Sequence, residues 1–376
     1  MDRNKQLWYT LDMKILLVST LKRKVGKNET ASRSQIIYEL ANGLAKKGHE
    51  VAILATADTQ IDGVQTIPIT VQGWIDAPPV ENAFFRDVAS LIKLAQSVTE
   101  IQKDFDIIHN HTYPEFFLPV VEDRLNTPLV TTVHVQATNY IDEILSGFTK
   151  THFVSISKAH QSGFPLTHMD TVIYNGVDTN LFAYQEKKDD YLLWLGRLAK
   201  AKNTDGTFMD PKGIRWAIAL AEKTEQKLIM SGNVEDREFF EKDVQPHLSS
   251  TIQWVGDIGT ELPLTRNKVV ALMQNAKAYL MTINWKEPFG LVMAESMSCG
   301  TPVIAFNHGS VPELIVDKKT GFIVDPSAGI DGLASAVSAI DSIDPQVCRS
   351  HVVENFSLEH MVNNYEQYYL NILSKK

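Results

Sequence analysis

Cysteine is nearly absent from this chain. Cys299 and Cys348 are the two among 376 residues, too few for a disulfide framework at this size and in keeping with a reducing compartment. Long apolar runs are missing too: no stretch approaches the roughly 18 uninterrupted apolar residues of a membrane-spanning helix. The opening MDRNKQLWYTLD has no apolar core of signal-peptide length and reads as a short leader, with the fold expected to start at Met13. Basic charge is not in excess either. Against 36 Lys+Arg stand 45 Asp+Glu, a net charge of −9, which argues against a general nucleic-acid binder because such proteins need a net basic face. A cytoplasmic protein is expected. The 44% hydrophobic and 22% charged content excludes wholesale disorder, and the length points to two domains or three.

Short apolar runs alternate with amphipathic stretches along most of the chain. Strands are expected at 14–18, 51–55, 106–109, 129–133, 153–156 and 171–174. All are apolar on both faces, as parallel strands covered by helices on two sides must be. Between the first two, Ile36, Ile37, Leu40, Ala41, Leu44 and Ala45 fall at helical spacing over 32–47, with Gly48 as a cap. The polar segment AYQEKKDD at 183–190 breaks the pattern. It then restarts with strands at 191–195, 227–231, 252–255, 278–283, 302–306 and 322–325, and with helices at 213–223, 236–244, 267–275 and 290–299. Two doubly wound α/β domains in tandem are expected, at 13–183 and 190–355, facing a central cleft. A last amphipathic helix at 357–373 has Ser357 as its N-cap. Ligands of such sheets bind beyond the carboxyl ends of strands.

The segment NWKEPFGLVMAESMSCGTPVIAF at 284–306 carries the strongest chemical signal. Glu287 follows a strand, and Pro288 suits the first turn of a helix starting near 288–290, whose N–H groups form a natural anion site. Glu295 lies one to two turns in. Amides for phosphate, flanked by carboxylates for hydroxyls, would suit a phosphate-bearing ligand with hydroxyls at both ends. Taken alone, such a pair is more often two solvated surface charges.

The run Glu287 to Glu295 with Pro288-Phe289-Gly290-Leu291 inside it, followed by Cys299-Gly300-Thr301-Pro302-Val303, resembles the signature of retaining family-4 glycosyltransferases of the GT-B fold. Tyr38-Glu39-Leu40-Ala41, Lys47-Gly48-His49-Glu50-Val51, Asn175-Gly176-Val177-Asp178, Leu195-Gly196-Arg197-Leu198 and Pro312-Glu313-Leu314 match further family stretches in order. The resemblance spans about 14–370. It implies a GT-B fold whose first domain takes the acceptor and whose second takes a nucleotide-sugar donor, with 356–376 packing back on the first. It also implies that Glu287 sits by the transferred sugar and that Phe289, Gly290 and Leu291 face sugar and phosphate. Glu295 would hold the ribose, Arg197 and a following lysine the diphosphate, and His134 the sugar.

Two departures stand out. About ten extra residues separate the Gly-Arg pair from Lys212-Gly213, so Lys212 is preferred as the phosphate lysine and Lys202 stays the alternative. A Gly-Gly pair expected before the first helix is replaced by Ala31-Ser32. Gly26 lies nearby in the basic loop LKRKVGK at 21–27; it is placed with the donor set, and the loop reads equally as closing on phosphate, as closing on an anionic acceptor, or as merely solvated. Gly232, in SGNVEDREFF, joins the donor residues because that stretch resembles users of UDP-glucose.

His109 and His111 have the spacing of a metal-ligand pair without a third ligand, and Asp104-Phe105-Asp106 precedes a strand rather than following one, so no metal is expected. No cofactor is expected beyond the nucleotide sugar, UDP-glucose, as co-substrate. The acceptor is a sugar, a lipid-linked molecule or a small molecule, with at most peripheral membrane contact. A GT-B-like sugar-nucleotide epimerase and a non-catalytic nucleotide-sugar-binding protein are the competing readings.

Overall fold

The computed structural model describes residues 12–27, 29, 32–259 and 264–375. Residues 1–11 of the expected leader, and Ala31, lie outside the described residues. Among the described residues thirteen strands form two sheets. The first contains β1 (Lys14–Val18), β2 (Glu50–Thr56), β3 (Gln65–Thr70), β4 (Ile107–Asn110), β5 (Leu129–Thr132), β6 (His152–Ser155) and β7 (Met169–Val172). The second contains β8 (Leu192–Leu195), β9 (Leu228–Ser231), β10 (Ile252–Trp254), β11 (Ala278–Met281), β12 (Val303–Phe306) and β13 (Gly321–Val324). Their spatial orders are β3-β2-β1-β4-β5-β6-β7 and β10-β9-β8-β11-β12-β13. The pairings of β1 with β2 and β4, and of β8 and β12 with β11, are parallel. Each order reverses once, at β1/β4 and at β8/β11, and those reversals are where doubly wound sheets bind ligands.

The chain divides into two compact units. One comprises residues up to Val133, Glu143–Val154 and residues from Tyr365 onward, and the other His134–Asp142 and Ser155–Asn364. In the first, Leu16, Val18, Leu54, Ile108 and Leu129 of the strands pack with Leu94 and Val98 of the helix Ala83–Ile101. In the second, Leu192, Leu193, Met230, Leu280 and Ile304 are buried in one continuous core.

The sequence left several elements unread, among them β3, the helix Ala83–Ile101 and the helices Asn139–Ser146, Gly329–Ala339 and Pro345–Asn355. β3 is half-exposed at a sheet edge and carries Pro68, which removes a ladder donor and weakens any strand signal. The helix Ala83–Ile101 is capped by Asn82, whose side chain accepts from the Phe85 N–H at 3.2 Å; Leu91, Leu94, Ala95 and Val98 carry its period.

The helix Leu358–Leu373 is capped by Ser357, whose hydroxyl accepts from the His360 N–H at 3.3 Å. Further along, Glu366 joins His49 at 2.9 Å and Lys47 at 2.8 Å, and the Tyr365 hydroxyl lies 2.9 Å from that of Thr132. His109 and His111 are fully buried. The Tyr369 hydroxyl is hydrogen-bonded to His109 Nδ1 at 2.6 Å, and His109 Nε2 lies 2.8 Å from Thr132 Oγ1. Burial, and then the Arg33 charge, pushes His111 down to about 3. Among the described residues no group of three His, Cys, Asp or Glu side chains stands close enough to hold a metal ion.

Candidate active site

The loop after β11 is built around Glu287. Its helix begins at Leu291, with Gly290 as N-cap, so Pro288 precedes the first turn rather than occupying it as the sequence suggested. Gly290 has φ +79°, and a Cβ there would lie 2.6 Å from Met293 Cε and 3.2 Å from Glu287 Cγ; glycine alone adopts this corner without strain. The N–H groups of Leu291 and Val292 open the helix and have no carbonyl one turn back to receive them.

Backbone contacts fix the loop. The Ser310 N–H donates to Glu287 O at 3.1 Å, the Ser310 hydroxyl to Phe289 O at 2.7 Å, and the Ser157 hydroxyl to Pro288 O at 2.6 Å. Gly309 approaches so closely that a Cβ would fall 2.4 Å from Glu287 O. The Phe289 ring is buried, 6.1 Å from each of Tyr174 and Phe356, so this side chain anchors the loop from beneath.

Lys212 is delivered to the same place by three contacts. The Trp194 indole donates to Lys212 O at 3.1 Å, the Asn284 N–H donates to Pro211 O at 2.9 Å, and the Thr282 hydroxyl donates to Gly213 O at 2.7 Å. The Lys212 ammonium then lies 2.7 Å from Glu287 Oε2 and 4.7 Å from the centre of the Trp285 ring. Lys202 goes elsewhere. It pairs with Glu238 at 3.1 Å and lies over Phe208, inside a small hairpin closed by the Lys202–Phe208 bridge and stacked through Phe208 on Phe239.

Gly196 and Gly232 touch, since a Cβ on Gly232 would sit 1.5 Å from Gly196 O. The neighbouring Arg197 reaches Glu235 at 3.2 Å and keeps 56% of its side chain exposed. Glu295 is buried on the helix Leu291–Ser298, and burial pushes its carboxyl up to about 7 despite the opposing charge of Arg266. Tyr279, unremarked in the sequence within the apolar run AYLM, links these parts: its hydroxyl donates to Leu195 O at 3.0 Å and feels the charges of both Glu287 and Glu295. Glu313 is committed to structure, accepting from the N–H groups of Lys158 and Ala159 and from the Tyr174 hydroxyl at 2.7–2.9 Å. His134 is half-buried two residues beyond β5. Gly26 stands in the first unit, with open space beside its α-carbon.

Residues 34–181 match a family model described as Glycosyltransferase Family 4, and residues 178–344 one described as Glycosyl transferases group 1. Phosphatidyl-myo-inositol mannosyltransferase of Mycolicibacterium smegmatis is 24% identical over 335 residues, covering 81% of this chain and 79% of that protein. Sucrose-phosphate synthase of Thermosynechococcus elongatus superposes with a TM-score of 0.73 at 19% identity, over 97% of this chain and 100% of the other. Anabaena HepE, solved in complex with UDP-glucose, superposes with a TM-score of 0.67 at 17% identity, with the same coverage of 97% and 100%. Two Rossmann-like parallel sheets, each reversing once, are the GT-B plan, and the chain is a glycosyltransferase of that type. Its likeness within the class is to family 4. Among the described residues no helix is long and apolar enough to cross a membrane.

Proposed function

We propose that this chain is a retaining hexosyltransferase of the cytoplasm that moves glucose from UDP-glucose to an acceptor hydroxyl without a metal ion. The observation that carries the reading is the Lys212–Glu287 pair, 2.7 Å apart, beside the first N–H groups of the helix Leu291–Ser298. The chemical problem is departure of a nucleoside diphosphate from the anomeric carbon. Lys212, an Arg197 side chain free to turn from Glu235, and the helix N-terminus stabilise the charge that develops on the leaving phosphate. Glu287, held in an ion pair, is a poor covalent nucleophile, which favours attack from the face the diphosphate leaves, with that phosphate accepting the acceptor's proton. In this scheme Glu295 receives the ribose hydroxyls, His134 touches the sugar, and the first unit takes the acceptor. UDP-glucose is favoured over other donors because Anabaena HepE was solved with it.

The test is a proton NMR time course of the full chain with UDP-glucose. Slow hydrolysis releasing α-glucose first supports the reading. β-Glucose as first product, or conversion of the donor to an epimer without sugar release, overturns it.

A further inference from the structure

The first sheet has its own reversal, at β1/β4, and the loops leaving those two strands meet over it. The loop after β1 is basic: Lys22, Arg23, Lys24 and Lys27 occur within six residues of a chain whose net charge is −9. It is firmly held. Leu21 O accepts from the Trp74 N–H at 3.0 Å, Lys22 O accepts from the Ile75 N–H at 3.2 Å, and the Val25 N–H donates to the Thr59 hydroxyl at 3.1 Å. Gly73 presses on it, since a Cβ there would fall 2.6 Å from Arg23 Cα.

Lys22 is turned onto the loop after β4, its ammonium 3.5 Å from the centre of the Tyr113 ring. Beneath, Arg33 is committed to Glu115 at 2.5 Å and to Thr112 O at 2.7 Å. Arg23, Lys22 and Lys27 form no ion pair among the described residues, and Lys24 has only a long contact of 3.6 Å to Glu29. Burial, with Arg33 and Arg23 as like-charged neighbours, lowers the pKa of Lys22; a bound anion would relieve that repulsion.

We propose that Lys22, Arg23 and Lys27 bind a phosphate group carried by the acceptor, with Tyr113 fixing the Lys22 head. A pinned loop pre-pays ordering cost, and the planar fork of Arg23 matches phosphate oxygens in pairs. This assignment rests on the sugar-transfer reading above and adds a charge to its acceptor. A soluble sugar phosphate and a phosphate-bearing lipid headgroup share this chemistry.

The experiment is calorimetric titration of the full chain, with saturating UDP to occupy the donor site. The probes are glucose 6-phosphate against glucose, and phosphatidylglycerol against phosphatidylcholine vesicles. Either net-anionic probe should bind at least tenfold more tightly than its net-neutral counterpart and weaken as KCl rises. Arg23→Gln with Lys27→Gln, both outside the core, should lower that affinity about tenfold and leave UDP affinity and the melting curve unchanged. Lys22→Met, which keeps the apolar stem, should do the same. Vesicle binding without glucose 6-phosphate binding would name the headgroup as the source. Equal affinity for charged and neutral probes, or variants that bind like the parent, would overturn the proposal. A chain that ignores UDP-glucose yet keeps charge-dependent glucose 6-phosphate binding would sink the donor reading and leave this site standing.

Discussion

The ammonium of Lys212 lies 2.7 Å from Oε2 of Glu287, across 75 positions of sequence. Neither side chain is more than a quarter exposed, at 24% and 12%. Each satisfies the other, and on the proposed reading an incoming diphosphate would give the lysine a second anion. Lys212→Ala should therefore lower kcat by roughly 10²–10³. Lys202→Ala should be mild, because its partner is the exposed Glu238. Steady-state kinetics of the two variants decides the matter; the reverse ranking would move the phosphate role to the hairpin.

Glu287→Gln keeps shape and removes charge. If positive charge develops on the sugar as the diphosphate leaves, this variant should lose roughly 10²–10³ in kcat with a smaller change in KM. Near-normal kcat would show that Glu287 serves only to position Lys212.

Glu295 ties stability to pH. Its carboxyl is raised from 4.5 to about 7 in the folded chain, so between those values the folded state holds a proton that the unfolded state has released. Its favourable contribution is complete below about pH 4.5 and is lost as pH rises through about 7. Glu295→Gln should therefore gain stability relative to the parent at pH 8, on the order of 3 kcal/mol, and show little difference near pH 4.5. Denaturant unfolding at both pH values tests this, and equal differences would mean the carboxyl does not titrate there. In the same variant a raised donor KM with little change in kcat is expected from a ribose contact.

Gly213 has φ +70°, and a Cβ would stand 1.6 Å from Thr282 O. Gly213→Ala should cost about 2 kcal/mol or more and should also displace Lys212. A thermal melt together with donor KM reads both effects; an unchanged melt would mean that the turn relaxes freely.

Removing the chain beyond residue 364 deletes Tyr365, Glu366 and Tyr369, which belong to the first compact unit. It leaves fully buried His109 without its 2.6 Å hydrogen bond with the Tyr369 hydroxyl and His49 without Glu366. Such buried polar groups cost about 1–3 kcal/mol each when stripped of a partner. The truncated chain should melt well below the parent by circular dichroism. An equally stable truncation would show these bonds to be dispensable.

The sequence by itself determined the layering. Strands apolar on both faces, such as KILLV and LLWL, need helices on two sides, and the helical period over 32–47 met the helix Ser32–Lys46. The order Glu287-Pro288-Phe289-Gly290 likewise fixed a sharp corner before a helix, because proline and glycine restrict the backbone locally. It set the start of that helix near 288–290, one to three residues ahead of Leu291, since Pro288 is tolerated before a helix as well as within it. Which lysine stands beside Glu287 was decided only by tertiary structure. Lys202 and Lys212 both follow the Gly-Arg pair; the Lys212-Gly213 match favours the second, but no local signal says which side chain reaches Glu287. Stacking of Phe208 on Phe239 folds the inserted residues onto themselves, and the close passage of Gly213 past Thr282 carries Lys212 to the loop after β11. Period and turn chemistry act over a few residues and are written in the local sequence; a pairing across a sheet depends on how distant backbones pack, which no single segment encodes.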